Sequence, residues 1–200
     1  MSKFKKDKYV SLKGKFLVSS PNMGDPRFKK TIIFMISDSE EGSMGIIVNK
    51  PALNIDINTL LTDIKLPKLK NKILKPKVFY GGPVELDKGF ILHSNDYRSP
   101  YASHYLGDDL AISNDLSVMV DIVKGKGPSK SIFTIGYAGW DSYQLKNEIY
   151  QNSWIEIELD KKILFSKNHS KKWEIAMSQA GIKKDYLIKN AMFSPFSGSA

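Results

Sequence analysis

Two apolar runs, Thr31–Ser37 and Met44–Asn49, constrain this chain most. Each is nearly continuous in hydrophobic side chains, and only Asp38-Ser39-Glu40-Glu41-Gly42 separates them. A run this short without polar alternation predicts a strand buried on both faces, and a polar connection ending in glycine predicts a hairpin loop. Further strands are expected at Phe16–Ser20, Lys77–Tyr80, Phe90–His93, Ser131–Tyr137 and Trp154–Leu159. In the last, Ile155, Ile157 and Leu159 alternate with Glu156 and Glu158, so one face is buried and the other wet. An Asp160-Lys161-Lys162 turn then leads into Ile163-Leu164-Phe165.

Helical spacing, i, i+3, i+4, i+7, recurs at Ile57, Leu60, Leu61 and Ile64, at Leu116, Met119, Val120 and Val123, and at Trp173, Ala176, Met177 and Ala180. Gly181 stops the last of these. A fourth helix is expected to open at Asp141, with Gln144 at the capping-box distance and Leu145 and Ile149 facing inward. Strands come first and helices interleave later, without the βαβα rhythm of a doubly wound fold. The expected class is therefore α+β, a strongly bent mixed β-sheet with peripheral helices. Residues 1–12 read as a basic, solvated tail, 13–185 as one domain and 186–200 as a C-terminal tail. Lys65 to Lys77 carries six lysines with Pro67 and Pro76, which predicts a long exposed connection.

Composition narrows the function classes. The 200 residues include no cysteine, which excludes thiolate chemistry and CxxC zinc sites and fits a reducing compartment. The longest apolar runs, such as Ile32–Ile36, fall far short of the roughly 20 residues that a bilayer requires. Lys3, Lys5, Lys6 and Lys8 are not followed by the apolar core of a signal peptide. The expectation is a cytoplasmic protein with no membrane partner. Net charge is +9, yet 28 of the 30 basic residues are lysine, the exceptions being Arg27 and Arg98. Bidentate recognition of phosphates and guanine edges favours arginine, so nucleic acid stays open only as an electrostatic partner of the lysine-rich surface.

Catalytic arrangements are not apparent. His93, His104 and His169 form no HxH, HxxxH or HExxH spacing, so no metal is expected. There is no GxSxG elbow and no phosphate-binding loop ending in Gly-Lys-Ser/Thr. Gly125-Lys126-Gly127-Pro128 resembles one only superficially, because proline removes an N–H, and a turn into the next strand is the expectation. Asp108-Asp109 and Glu40-Glu41 carry no sign of burial. Neither catalytic residues nor a cofactor are implied.

Three segments stand apart: Ser19-Ser20-Pro21-Asn22-Met23-Gly24-Asp25, Tyr80-Gly81-Gly82-Pro83-Val84 and Gly136-Tyr137-Ala138-Gly139-Trp140. Glycines at strand ends permit positive φ or close backbone approach. The third segment runs toward a helix N-terminus, where an anion is favoured, and Gln144 and Glu148 follow on one face of that helix. Gly81, Gly82, Pro83, His93, Gly136, Tyr137, Gly139, Trp140, Gln144 and Glu148 form the candidate binding surface. The alternative is structural: Trp140 is core, the glycines make room for it, and Gln144 is a cap partner.

The same segments carry a resemblance. The chain is similar to the bacterial YqgE/AlgH family through Gly14-Lys15-Phe16-Leu17-Val18 with Ser20-Pro21, Asp25-Pro26 with Phe28, Glu41-Gly42-Ser43-Met44-Gly45-Ile46-Ile47-Val48-Asn49, Gly81-Gly82-Pro83-Val84 and Phe90-Ile91-Leu92-His93. It continues through Gly127-Pro128, Gly136-Tyr137-Ala138-Gly139-Trp140 with Gln144-Leu145 and Glu148, Asn152 with Trp154, and Trp173 with Gly181-Ile182. Lys50 stands where members often carry arginine. The resemblance implies an α+β fold whose bifurcated sheet curls into a pseudo-barrel. One branch bears the name of a transcriptional regulator of alginate synthesis, but no pair of helices here has helix-turn-helix spacing with a basic second helix. The resulting expectation is a non-enzymatic regulatory or interaction protein with a protein partner. The alternatives are a small-molecule binder or enzyme using His93, Tyr137, Gln144 and Glu148, and an electrostatic nucleic-acid binder.

Overall fold

The hairpin expected at Glu40-Glu41 lies within a nine-stranded sheet. A computed structural model describes residues 9–55, 77–98 and 103–182. The strands are β1 (Phe16–Ser19), β2 (Ile32–Ser39), β3 (Gly42–Ile47), β4 (Val78–Tyr80), β5 (Val84–Ser94), β6 (Ser103–Leu106), β7 (Leu110–Ser113), β8 (Ser131–Asp141) and β9 (Trp154–Ile157). The α-helices among the described residues are α1 (Leu116–Val123), α2 (Gln144–Tyr150), α3 (Lys161–Leu164) and α4 (Lys172–Gln179). Strand order is β6-β7-β5-β8-β3-β2-β1-β9, and β4 pairs in parallel with β8. The fold is α+β with a mixed sheet, as the pattern predicts.

The sheet divides along β8. Its first half, from Ser131 to Ile135, pairs with β5 on one side and β4 on the other. Its second half, Ala138 to Asp141, pairs with β3. Between them Gly136 takes φ +68, a left-handed turn of the strand that side chains disfavour. Gly81 bridges the fork: its N–H donates to Ile135 O at 2.7 Å, and its carbonyl accepts from Ile47 N at 2.8 Å.

The curled sheet buries apolar side chains on both faces. Phe16, Val18, Ile32, Phe34 and Ile46 from one half meet Leu92, Leu110, Ile112 and Ile132 from the other inside the curl, closed by Ile163, Leu164, Trp173, Ala176 and Met177 of α3 and α4. The opposite face of the part built from β1, β2 and β3 packs Leu17, Ile33 and Ile47 against Trp140, Leu145 and Trp154. The opposite face of the part built from β5 and the start of β8 packs Ile91 and Phe133 under α1. Strands β2 and β3 therefore need hydrophobic residues at consecutive positions, which explains the unbroken runs.

Several boundaries differ from the sequence expectation. Strand β8 continues through Gly139 and Trp140 to Asp141, so α2 begins at Gln144 rather than Asp141. Helix α1 buries Val118, Met119, Ile122 and Val123, whereas Leu116 is exposed, so its inner face is rotated from the expected stripe. The β6–β7 hairpin lies outside the sequence expectation, because strands of four residues carry little periodicity. Asp108-Asp109 lie in its turn beside Gly107 at φ +69. Asp160 caps a short helix rather than a turn, its carboxylate accepting from Lys162 N at 2.7 Å. Gly181 ends α4 as expected: it adopts φ +79, and Ile182 N donates to Met177 O at 3.0 Å.

Part of the expected N-terminal tail is fastened down. Tyr9 Oη donates to Asp38 Oδ1 at 2.6 Å, and Leu12 N donates to Asp38 Oδ2 at 2.7 Å. The expected helix over Ile57–Ile64, most of the lysine-rich connection up to Lys77, the N-terminal lysines and the C-terminal tail lie outside the described residues.

Candidate functional site

Along the second half of β8, side chains alternate across the sheet. Ala138 and Trp140 point into the apolar layer beneath α2, while Gly139 and Asp141 are exposed. Trp140 is 7 % exposed, and its indole stands edge-on to Trp154 with ring centroids 5.9 Å apart. Trp154 in turn meets Phe28 edge-on at 5.5 Å. Two buried indole N–H groups then require acceptors, and Glu148 supplies both. Its Oε2 accepts from Trp140 Nε1 at 3.0 Å and from Trp154 Nε1 at 2.7 Å. Gln144 Nε2 donates to Glu148 Oε1 at 2.9 Å, and Gln144 Oε1 accepts from Asp141 N at 3.1 Å.

These bonds fix α2 on the sheet. Trp140, Gln144 and Glu148 direct their polar groups at one another, which accords with the structural alternative for Trp140 and with Gln144 as cap partner. Glu148→Ala leaves both indole donors unpaired in a buried layer. At about 1–3 kcal/mol for each unsatisfied donor, urea denaturation should show a loss of about 2–6 kcal/mol. Glu148→Gln keeps an acceptor and should lose less than half as much; equal losses would show that the carboxylate does not carry the contact.

Two of the three segments, those of Gly81-Gly82 and of Gly136, converge at the fork, backbone against backbone, whereas nothing lies within 4 Å of the Cβ position of Gly24 in the first. A Cβ on Gly81 would sit 2.2 Å from Gly136 O, one on Gly136 2.5 Å from Gly82 O, and one on Gly82 2.1 Å from Tyr137 C. Here the glycines serve close strand crossing. Pro83 follows in the connection to β5, and Tyr137 packs edge-on against Phe90 at 6.1 Å. His93 is not brought to this place. It pairs with Ser131 at the far end of β8, is fully buried, and stands edge-on to Tyr97 at 5.9 Å. Its Nδ1 lies 2.9 Å from Ser94 O, while Nε2 has no hydrogen-bond partner. His93, Tyr137, Gln144 and Glu148 thus do not line one pocket.

The solvent side of α2 is a different surface. Tyr143 is 60 % exposed and Tyr150 88 % exposed. Tyr143 holds φ 63, the left-handed conformation, at the start of the helix. Beside them a groove of about 290 Å³ is lined by Tyr9, Leu12, Leu145, Ile149 and Tyr150, with Asp38 and Glu40 at its edge. Lys146 Nζ lies 4.0 Å from the Tyr9 ring centroid and 5.6 Å from that of Tyr143. Burial and the adjacent Asp38 carboxylate raise the pKa of Tyr9.

Sequence reasoning missed Lys172. It is fully buried; its ammonium donates to Val48 O at 2.9 Å and Leu164 O at 2.6 Å, and burial lowers its pKa to about 8. The available signal was position: Lys172 lies four residues before Ala176, on the inward side of α4.

Among the described residues, no cluster of three or more His, Cys, Asp or Glu side chains is placed to hold a metal, and no helix is long and apolar enough to cross a membrane. The geometry thus defines a bifurcated-sheet α+β protein with a stapled helix over the Gly-Tyr-Ala-Gly-Trp strand. Residues 16–185 match the AlgH-like family DUF179, and the chain belongs to that family. It is 39 % identical over 182 residues to a UPF0301 protein of Ruegeria pomeroyi, covering 91 % of this chain and 97 % of the relative. It is 38 % identical over 175 residues to a UPF0301 protein of Rickettsia canadensis, covering 87 % and 91 %. The solution structure of the AlgH protein from Pseudomonas aeruginosa superposes with a TM-score of 0.72 at 30 % identity, covering 98 % of this chain and 100 % of that one. A crystal structure from Corynebacterium diphtheriae shares the fold, with a TM-score of 0.67 at 17 % identity and coverage of 94 % and 95 %.

Proposed function

We propose that this AlgH-like protein is a non-enzymatic interaction protein acting in regulation, and that it meets a protein partner on the face carrying Tyr143, Lys146 and Tyr150. The observation that carries this reading is the exposure of two tyrosines on a helix that Glu148 fastens to the sheet. Tyrosine offers a large amphipathic contact at low entropic cost and is enriched at interfaces. A fixed helix presents it pre-organised. The left-handed Tyr143 adds support, because a non-glycine residue in that region costs roughly 1–2 kcal/mol and such strain clusters at functional surfaces. A small-molecule pocket around Trp140 is less favoured, because Trp140, Gln144 and Glu148 already satisfy one another.

The test compares immobilised wild type with the double variant Tyr143→Ala/Tyr150→Ala, using lysate of the source cell with and without nuclease. Both substitutions are at exposed positions, and circular dichroism should show an unchanged fold. The expected result is a protein that wild type retains after nuclease and the double variant loses by about tenfold, equivalent to about 1.4 kcal/mol. Equal capture by both proteins removes this surface from the function. Capture of nucleic acid alone favours the lysine surface instead.

A further inference from the structure

A second concave surface lies at the opposite end of the β3 strand path, where the chain leaves Val48 and the α3–α4 connection folds back over it. This open cleft of about 590 Å³ is lined by Asn49, Pro51, Lys167, Asn168, His169 and Ser170, none of them acidic. Its volume falls within the roughly 300–1,000 Å³ of small-molecule clefts. His169 stands edge-on to Phe79 with ring centroids 4.8 Å apart, and its Nδ1 is buried without a hydrogen-bond partner. Lys172 approaches the same Phe79 ring, its Nζ 5.9 Å from the centroid. That ammonium bonds the carbonyl of Val48, the residue that precedes Asn49 in the cleft wall.

The cluster is one-sided in charge. No carboxylate among the described residues lies within ion-pair distance of Lys172. Lys172 and Lys77 are both close enough to His169 to depress its pKa, after burial, to about 4. A buried cation without a counter-ion is costly; two backbone carbonyls and a lowered pKa offset part of that cost for Lys172, and an anion held nearby would offset more of it. Asn49 is not the receiving group: its Oδ1 accepts from Ile32 N at 2.9 Å and its Nδ2 donates to Lys30 O at 2.8 Å. It forms a rigid wall, and Ser170 Oγ donates to Asn168 Oδ1 at 3.0 Å, so His169 and Lys167 are the groups left around the opening.

We propose that this cleft binds a phosphate-type oxyanion, free or as the phosphomonoester of a small molecule, with Lys167 at its rim, His169 at its side and the Lys172 charge behind its floor. A phosphate group carries about −1.5 to −2 charges at neutral pH and offers several acceptor oxygens, which suits lysine as a point-charge partner.

The experiment is a titration of the full chain with inorganic phosphate at constant ionic strength, with chloride replaced stepwise, followed by nuclear magnetic resonance. The expected result is a saturable shift confined to His169, Ser170 and Asn49, with an unfolding midpoint that rises with phosphate. Lys167→Glu, an exposed change that should leave the fold intact, should weaken binding by about tenfold or more, equivalent to about 1.4 kcal/mol. Shifts that grow without saturating, that chloride reproduces, or that survive Lys167→Glu unchanged overturn the proposal. A parallel titration with phenyl phosphate identifies the source: tighter binding than the free ion marks a phosphorylated small molecule, and equal binding marks phosphate itself. Because the probe is a small ion at a cleft away from Tyr143 and Tyr150, its failure leaves the partner-binding test unaffected.

Discussion

Gly82→Ala is expected to be the most damaging single change in the described chain, lowering stability by more than about 4 kcal/mol or preventing folding. A Cβ there would lie 2.1 Å from Tyr137 C, 2.2 Å from Tyr137 O and 2.3 Å from Ala138 N. These are backbone atoms of β8, held by pairing with β3 and β5, so they cannot yield as a flexible side chain would. The glycine also takes φ +153, a conformation that alanine rarely adopts. Gly24→Ala is the control. Nothing lies within 4 Å of its Cβ position, and the change should alter stability by no more than about 1 kcal/mol. Denaturant unfolding followed by circular dichroism measures both. A Gly82→Ala protein as stable as Gly24→Ala would mean that the fork in the sheet is not packed as described.

Lys172 should make stability rise with alkaline pH. Its folded pKa of about 8 lies below the unfolded value of 10.5. Between those values the unfolded chain binds more protons than the folded one, so unfolding free energy increases with pH. A shift of this size corresponds to about 3 kcal/mol, present above pH 10.5 and lost as pH falls through 8. Lys172→Met keeps most of the aliphatic volume and removes the charge, although it leaves Val48 O and Leu164 O without that donor. The difference between wild type and Lys172→Met, followed from pH 7 to pH 10.5, should swing toward wild type by about 3 kcal/mol; other titrating groups cancel in this difference. Parallel stability curves would show that the Lys172 ammonium is not desolvated. Lys172→Ala is a separate comparison, expected to lose about 2–5 kcal/mol from the cavity it leaves.

Much of the fold is legible locally. The uninterrupted runs in β2 and β3, the alternation in β9, the Leu145 and Ile149 face of α2, and the Trp173, Ala176 and Met177 face of α4 all follow from burial recorded along one element. The path of β8 is less legible. Its two glycines weaken the strand signal, yet pairing with β5, β4 and β3 holds it extended on either side of Gly136. Periodicity alone does not separate the two faces of α1, because the stripe Leu116, Met119, Val120 and Val123 shares Met119 and Val123 with the buried set.

The candidate residues divide in the same way. Gly81, Gly82, Gly136, Trp140, Gln144 and Glu148 were recognisable as unusual, but their partners were not. Glu148 joins Trp140 to Trp154 across a strand and a helix, and Gly82 meets Tyr137 from a distant part of the chain. Lys172 reads as one lysine among 28 until α4 is laid against Val48 and Leu164.

By itself the sequence determined the α+β class, the buried hairpin, most strand positions and the inner faces of α2 and α4, because spacing of apolar side chains directly encodes which face of an element leaves water. Tertiary structure alone decided that the sheet forks at Gly136, that Glu148 staples two tryptophans, that His93 lies apart from them, and that Lys172 is a buried cation behind a cleft without acids. Those facts depend on contacts between residues far apart in the chain, whose energies arise only once the strands have paired and the curl has closed.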